Sequence, residues 1–241
     1  MKQEVCAVEP GVLYLVSTPI GNLRDLSFRA LDVLTQVDLI AAEDTRRTRI
    51  LLEHYTVHTP TTSYFDHNKE RKTPLLLNKL RHGVSIALVS DAGTPGISDP
   101  AFYLVRAVVE ADLTVQAIPG PTAMIAALIL SGLATDRFVF EGFLPVKKGR
   151  LKRLEALSCE PRTIILYESP QRLMRTLCDI KQHCGSRNVA IAREITKRFE
   201  ECLRGNVIEL IEQLENKKIK GEIVLVVEGL TRRSRNVTRK E

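Results

Sequence analysis

Short apolar runs punctuate the chain at intervals. Leu13–Val16, Asp38–Ala42, Ile86–Val89, Leu113–Ile118, Phe138–Phe140, Thr163–Tyr167, Val189–Ala192 and Gly221–Glu228 have the length and composition of strands. Between them the apolar spacing turns helical. In Asp25–Val37 the apolar positions are Leu26, Ala30, Val33, Leu34 and Val37. Helices are predicted likewise through Ile50–Leu52 and over Thr73–His82, Pro100–Ala111, Pro121–Ser131, Arg150–Leu157, Ser169–His183 and Asn206–Leu214. Thr59–Tyr64 is β-prone and leads into a polar segment, Phe65–Arg71. Pro74 sets the start of the regular helix that follows. This alternation defines an α/β fold. The break at Gly132–Arg137 predicts two α/β domains, 1–132 and 133–230, followed by a basic tail, 231–241.

The strand ends share a chemistry. Leu13–Val16 runs into Ser17-Thr-Pro-Ile-Gly-Asn22, and Ile86–Val89 into Ser90-Asp-Ala-Gly-Thr-Pro-Gly-Ile-Ser-Asp99. Val115–Ile118 runs into Pro119-Gly-Pro-Thr122, and Ile164–Tyr167 into Glu168-Ser-Pro170. Gly93 and Gly96 suit a backbone that turns with positive φ and approaches a ligand closely. Were the strands parallel, all four loops would open on one sheet edge, where α/β proteins bind ligands. A tight strand-to-helix turn needs glycine and proline in any case, so the recurrence carries the argument rather than one loop.

Composition narrows the chemistry. The chain has 241 residues and 44% hydrophobic positions, enough for one large or two ordinary domains. No apolar run reaches membrane-spanning length, and the acidic N-terminal segment is unlike a secretion signal, so a cytoplasmic protein with no membrane role is expected. Cys6, Cys159, Cys178, Cys184 and Cys202 form no C-x-x-C pair, and His54 and His58 are read as surface residues, so no metal is expected. There is no G-x-x-x-x-G-K-S/T, no G-x-G-x-x-G after the first strand and no G-x-S-x-G elbow. A net charge of +6 points mildly to a polyanionic partner. Basic residues gather at Lys147–Arg153 and between Asn216 and Glu241, although such runs are commonly solvated surface. Aromatic residues make up only 5% of the chain, which favours phosphate contact over extensive base stacking.

Glu43-Asp-Thr-Arg-Arg47 closes another strand. Asp44 is placed to cap the helix that follows, whereas Arg46 and Arg47 in its first turn oppose the helix dipole. That opposition makes a ligand role for Arg46 worth testing.

Taken in order, Ser17-Thr-Pro-Ile-Gly-Asn-Leu23, Ala42-Glu-Asp-Thr-Arg46, Asp66-His-Asn68, Val89-Ser-Asp-Ala-Gly-Thr-Pro95, Pro119-Gly-Pro121, Glu141-Gly-Phe-Leu-Pro145, Tyr167-Glu-Ser169, Arg193-Glu-Ile-Thr-Lys197 and Lys220-Gly-Glu222 resemble the ribosomal RNA small subunit methyltransferase I family, within the tetrapyrrole-methylase-like superfamily. The likeness runs from about Gly11 to Gly229. It implies two α/β domains of the tetrapyrrole methylase type, S-adenosylmethionine in the cleft between them, and a homodimer. It also implies 2′-O-methylation of a cytidine in the decoding region of 16S rRNA in the small ribosomal subunit. By the same analogy Pro19, Ser90, Asp91, Ala92, Gly93, Ile97, Thr122, Ala123, Tyr167 and Glu168 should contact the cofactor. Two departures from the family pattern are Ala101, where relatives usually carry Gly after Asp-Pro, and a C-terminus shorter than in many relatives.

Methyl transfer to a ribose oxygen needs alignment of the two reactants and a destination for one proton. Asp44, His67, Glu168, Glu194 and Lys197 are candidates for the proton. Arg46, Arg193 and Lys197 could instead hold phosphate. Asp44, Arg46, His67, Glu194 and Lys197 are thus the expected catalytic set, with structural salt bridges the competing explanation. Two further functions fit the sequence: a small-molecule methyltransferase of the tetrapyrrole type, which the fold would allow, and a non-catalytic RNA-binding assembly factor.

Overall fold

The computed structural model describes residues 7–230, so Cys6 and the basic tail 231–241 lie outside the described residues. The chain divides into two units at Thr122/Ala123.

The first unit is a parallel sheet of β1 (Leu13–Val16), β2 (Leu39–Ala42), β3 (Thr61–Ser63), β4 (Ile86–Val89) and β5 (Val115–Ile118), in the order β3-β2-β4-β1-β5. Its helices are α1 (Phe28–Gln36), α2 (Thr45–His54), α3 (Lys69–Arg81) and α4 (Ala101–Glu110). Parallel strands covered on both faces need apolar side chains in both directions. Tyr14, Val16, Ala87 and Val89 pack with Val33 and Leu34 on one face. Leu13, Ile86 and Leu88 pack with Leu76, Leu80, Leu104 and Val108 on the other. This two-sided burial is why the strands read as continuous apolar runs.

The second unit opens with α5 (Ala123–Ser131) and contains β6 (Phe138–Phe143), α6 (Arg150–Ser158), β7 (Thr163–Glu168), α7 (Pro170–Cys184), β8 (Asn188–Arg193), β9 (Glu201–Asn206), α8 (Val207–Leu214) and β10 (Ile223–Val227). The sheet order is β6-β7-β10-β8-β9. Only β6 and β7 are parallel; the other pairs are antiparallel. Leu166, Ile191 and Leu225 face a core shared with Leu154, Leu173, Leu177 and Leu210. The opposite face, with Ile165 and Val226, is also buried, and α5 packs against β7, β8 and β10.

Several expectations are corrected. The division falls before α5 rather than at Gly132, because α5 covers the second sheet. The four loops do not share one sheet: the strands before Ser17, Ser90 and Pro119 are parallel neighbours, but Tyr167 lies in a strand of the second sheet. Helix α3 starts at Lys69 despite Pro74. The Asn68 side chain accepts the Phe65 N–H and donates to Ser63, holding the turn that starts the helix upstream of the proline. Strand β9 is not legible in the sequence, because as an edge strand paired only with β8 it carries Arg204 and Gly205 without an apolar run. Among the described residues no helix is long and apolar enough to cross a membrane.

Candidate functional site

The loops after β1, β4 and β5 are tied together at the carboxyl edge of the first sheet. Thr18 and Gly93 exchange backbone hydrogen bonds of 2.9 and 3.0 Å. Thr94 is the central side chain. Its hydroxyl lies 3.0 Å from Ser17 Oγ and 2.6 Å from Thr122 Oγ1, and it donates to the Pro121 carbonyl at 3.1 Å. Gly93 has φ +85° and packs so closely that a Cβ would lie 3.2 Å from Ile20 Cγ2. Gly96, at φ +93°, faces open space. A Cβ on Gly120 would lie 2.8 Å from that of Ser17. Strand ends are thus fixed close together by hydroxyls and glycines, with Pro19 and Ile97 half-buried and Ala92 exposed beside them.

The end of β2 joins this cluster through two carboxylates. Glu43 Oε2 accepts the Asp91 N–H at 3.1 Å, and Asp91 Oδ1 accepts the Asp44 N–H at 3.0 Å. Arg47 pairs with Asp91 Oδ2 at 3.1 Å. The Asp91 carboxylate therefore holds one loop to the next. Burial pushes the Glu43 carboxyl above the ordinary glutamate value, against the opposing Asp91 amide; Asp91 and Asp99 push it further up. Asp44 caps α2 by accepting the Arg46 N–H. The Arg46 side chain returns to the same carboxylate at 2.7 Å and, with that amide, pulls Asp44 down to about 2. Ser90 is buried, with its hydroxyl directed at the Ala92 and Gly93 carbonyls. His67 is exposed, its ring 6.3 Å from that of Phe65.

A cavity of about 320 Å³ opens in the same unit beside these loops, lined by Glu43, Asp66, Lys69, Asp99, Phe102 and Tyr103 among others. Asp66 is taken up by Lys69 at 2.6 Å. Asp99 accepts the Gly96 and Ala101 N–H groups.

The remaining candidates lie in the second unit. Tyr167 stacks edge-on with Phe140 and Phe143, and burial raises its phenol. Glu168 is buried. It accepts from the Thr176 hydroxyl at 2.6 Å and the Ser169 N–H at 2.8 Å, and pairs with Arg172 at 3.2 Å. Its carboxylate thereby anchors α7 to the end of β7. Ala123 is the first residue of α5. Glu194, at φ +49°, accepts from Lys197 at 2.9 Å and from the Glu222 N–H at 3.0 Å. Those bonds pull Glu194 down. Burial opposes the charge on Lys197, but Glu194 and Glu222 outweigh it and raise the ammonium. A Cβ on Gly221 would overlap the Glu194 side chain, so the two motifs pack as one corner. Among the described residues no cluster of metal-ligating side chains occurs.

Of the expected catalytic set, the structure brings Asp44 and Arg46 together in the first unit and Glu194 and Lys197 together in the second. His67 makes no hydrogen bond or ion pair with Asp44 or Arg46; its ring lies against Phe65. Glu43 was not among the expected site residues, and Thr94 was expected to serve through its backbone, whereas its side chain ties the loops together. Glu43 sits where an acid beside a helix N-terminus is ordinarily favoured by the dipole, and only its burial against Asp91 sets it apart.

A parallel sheet with glycine- and hydroxyl-rich loops at its carboxyl edge, followed in sequence by a second, mixed sheet, defines an α/β ligand-binding protein of two units. The chain belongs to the tetrapyrrole (corrin/porphyrin) methylases, whose family model matches residues 12–211. It is similar to the ribosomal RNA small subunit methyltransferase I of Synechocystis sp., at 55% identity over 92% of this chain and 80% of the relative. The protein of that name from Escherichia coli O157:H7 is 52% identical over 91% of this chain and 78% of its own length. Among solved structures, uroporphyrin-III C-methyltransferase from Thermus thermophilus, complexed with S-adenosyl homocysteine, matches with a TM-score of 0.63 at 16% identity, over 90% of this chain and 96% of that one. The last likeness establishes the fold.

Proposed function

We propose that the protein transfers the methyl group of S-adenosylmethionine to the ribose 2′-hydroxyl of a cytidine in the decoding region of small-subunit rRNA. The observation that carries this reading is the close similarity, over nearly the whole chain, to relatives named ribosomal RNA small subunit methyltransferase I. We infer also that it acts in the cytoplasm as a homodimer; exposed Ile125 and Ile129 on α5 are consistent with a covered face.

The loops of the first unit fit the cofactor. Ser17–Asn22, Ser90–Asp99 and Pro119–Thr122 contain two aspartates and no lysine or arginine. These segments supply no cation of their own to a nucleotide pyrophosphate, and both of their acids are already engaged, Asp91 with Arg47 and Asp99 with the Gly96 and Ala101 amides. The Ser17–Thr94–Thr122 hydroxyl chain offers both donors and acceptors to hydroxyl and amino groups. When bound, S-adenosylmethionine supplies an electrophilic methyl whose sulfur already bears the positive charge. The residues of the chain then align the ribose and receive its proton. Pro19, Ala92, Gly93 and Ile97 line the approach in this reading. Asp91 acts by holding the loops together. Arg46 meets RNA phosphate.

The test is methyl transfer from labelled cofactor to small subunits, with uroporphyrinogen as the competing acceptor. Label recovered as 2′-O-methylcytidine supports the proposal. Label on the tetrapyrrole, or RNA binding without transfer, supports one of the two alternative functions instead.

A further inference from the structure

The cavity beside the β4 loop contains three carboxylates, and their hydrogen bonding separates them. Asp66 is neutralised by Lys69. Asp99 is consumed by the Gly96 and Ala101 amides at the start of α4. Glu43 differs: Oε2 is fixed by the Asp91 amide, and no protein hydrogen bond to Oε1 occurs among the described residues. The carboxylate is therefore oriented by one oxygen and available through the other.

The cavity also excludes some ligands. Glu43, Asp66 and Asp99 outnumber Lys69, so a phosphate is repelled, whereas sugar hydroxyls and amino groups are suitable donors. Phe102 is 68% exposed and Tyr103 is 42% exposed at the rim, and unstacked bases bind to such rings. Lys69 lies over the Tyr103 ring at 5.7 Å, leaving Phe102 as the more open face. A volume of about 320 Å³ lies at the lower end of the range for small-molecule sites.

We propose that this cavity receives the acceptor nucleoside of the RNA and that Glu43 is a catalytic residue, accepting the proton of the attacking ribose hydroxyl. The inference rests on the methyl-transfer reading above. In the step, the ribose O–H breaks as its oxygen bonds to the methyl carbon. The S–CH3 electron pair stays on sulfur, giving the thioether product, and the proton passes to Glu43 Oε1. Asp91 places Glu43 at the edge of the proposed cofactor loop through the amide it donates. The groups facing Glu43 are Asp91, Asp99 and Arg47 from the neighbouring loops and helix, and Asp66 and Lys69 across the cavity. Its burial keeps the base nearer to neutrality, where a general base is most effective.

Glu43→Gln preserves the acceptor for the Asp91 amide, so a purely structural role survives the change while proton acceptance does not. The expected result is a fall in kcat of about 10²–10⁴-fold, with cofactor affinity by calorimetry and small-subunit binding without cofactor each within about threefold. The acid limb of the parent's pH–rate profile should lie above the usual glutamate value and be absent from the variant. Carbon-13 titration of the cofactor-free protein should show one raised glutamate resonance that the variant lacks. Should Glu43→Gln misfold, Glu43→Asp decides: the shortened arm should keep the acid limb and lower turnover at least tenfold. Parental turnover in either folded variant overturns the assignment. A parent protein that does not methylate small subunits contradicts the proposed function instead.

Discussion

Arg46 sits where folding and ligand binding make different demands. Its guanidinium is 89% exposed and returns to Asp44, the cap of its own helix. An exposed pair of this kind contributes little to stability. Arg46→Ala is therefore expected to leave the denaturation midpoint essentially unchanged, while lowering methyl transfer to small subunits with cofactor affinity intact. Chemical denaturation, calorimetry and a transfer assay check the three parts. Asp44 provides a second readout. Its folded value of about 2 lies below the ordinary aspartate value of 3.8, so its stabilising contribution is present above the latter and lost as pH falls towards the former. Arg46→Ala removes the side-chain bond and leaves the backbone cap, so the Asp44 titration should move upward in an NMR pH series. The capping role of Asp44 was legible because a short acid before a helix has one favoured use. Glu43 was not, since its neighbour in sequence has an ordinary explanation and its burial arises from β4, far away in the chain.

At the scale of elements, the loop cluster depends on one hydroxyl. Thr94→Val leaves Ser17, Thr122 and the Pro121 carbonyl without their shared partner. The cost should be about 1–3 kcal/mol in denaturant unfolding, with at least a tenfold loss of S-adenosylmethionine affinity by calorimetry. Unchanged affinity would remove the loops from the cofactor site. Glu168 makes the opposite prediction. Its carboxylate is buried against Arg172 and Thr176, so Glu168→Ala should destabilise the fold by about 3 kcal/mol, seen as a lower Tm without any ligand present. Thr94 lies in a loop whose glycines and prolines announced a tight turn, but partners in two other loops are not encoded by local spacing. The parallel strands were readable because burial on both faces forces apolar runs. The direction of the second sheet's strands was not, because burial on both faces leaves the same pattern in a mixed sheet.

For the whole molecule, a net charge of +6 on a chain whose proposed cofactor loops lack any cation separates two kinds of recognition. Binding of small subunits should weaken steeply with salt, by roughly 0.7 to 0.9 log units per log unit of salt for each phosphate neutralised. Cofactor binding should change far less over the same range. Parallel filter-binding and calorimetric titrations between low and moderate salt distinguish the two. Charge and composition alone went no further than a polyanionic partner; the ordered motifs gave the family, because they fall at strand ends where backbone geometry restricts the residues allowed. The target nucleotide is not written in the chain at all, since its selection depends on the shape of folded RNA.

Nucleoside mass spectrometry of small-subunit rRNA from cells lacking the protein, with the gene restored as control, reads the proposed methyl transfer in the cell. One 2′-O-methylcytidine should be lost from the decoding region, regained with the parent gene and not with Glu43→Gln. An unchanged complement of 2′-O-methylcytidine in the deleted strain would contradict it.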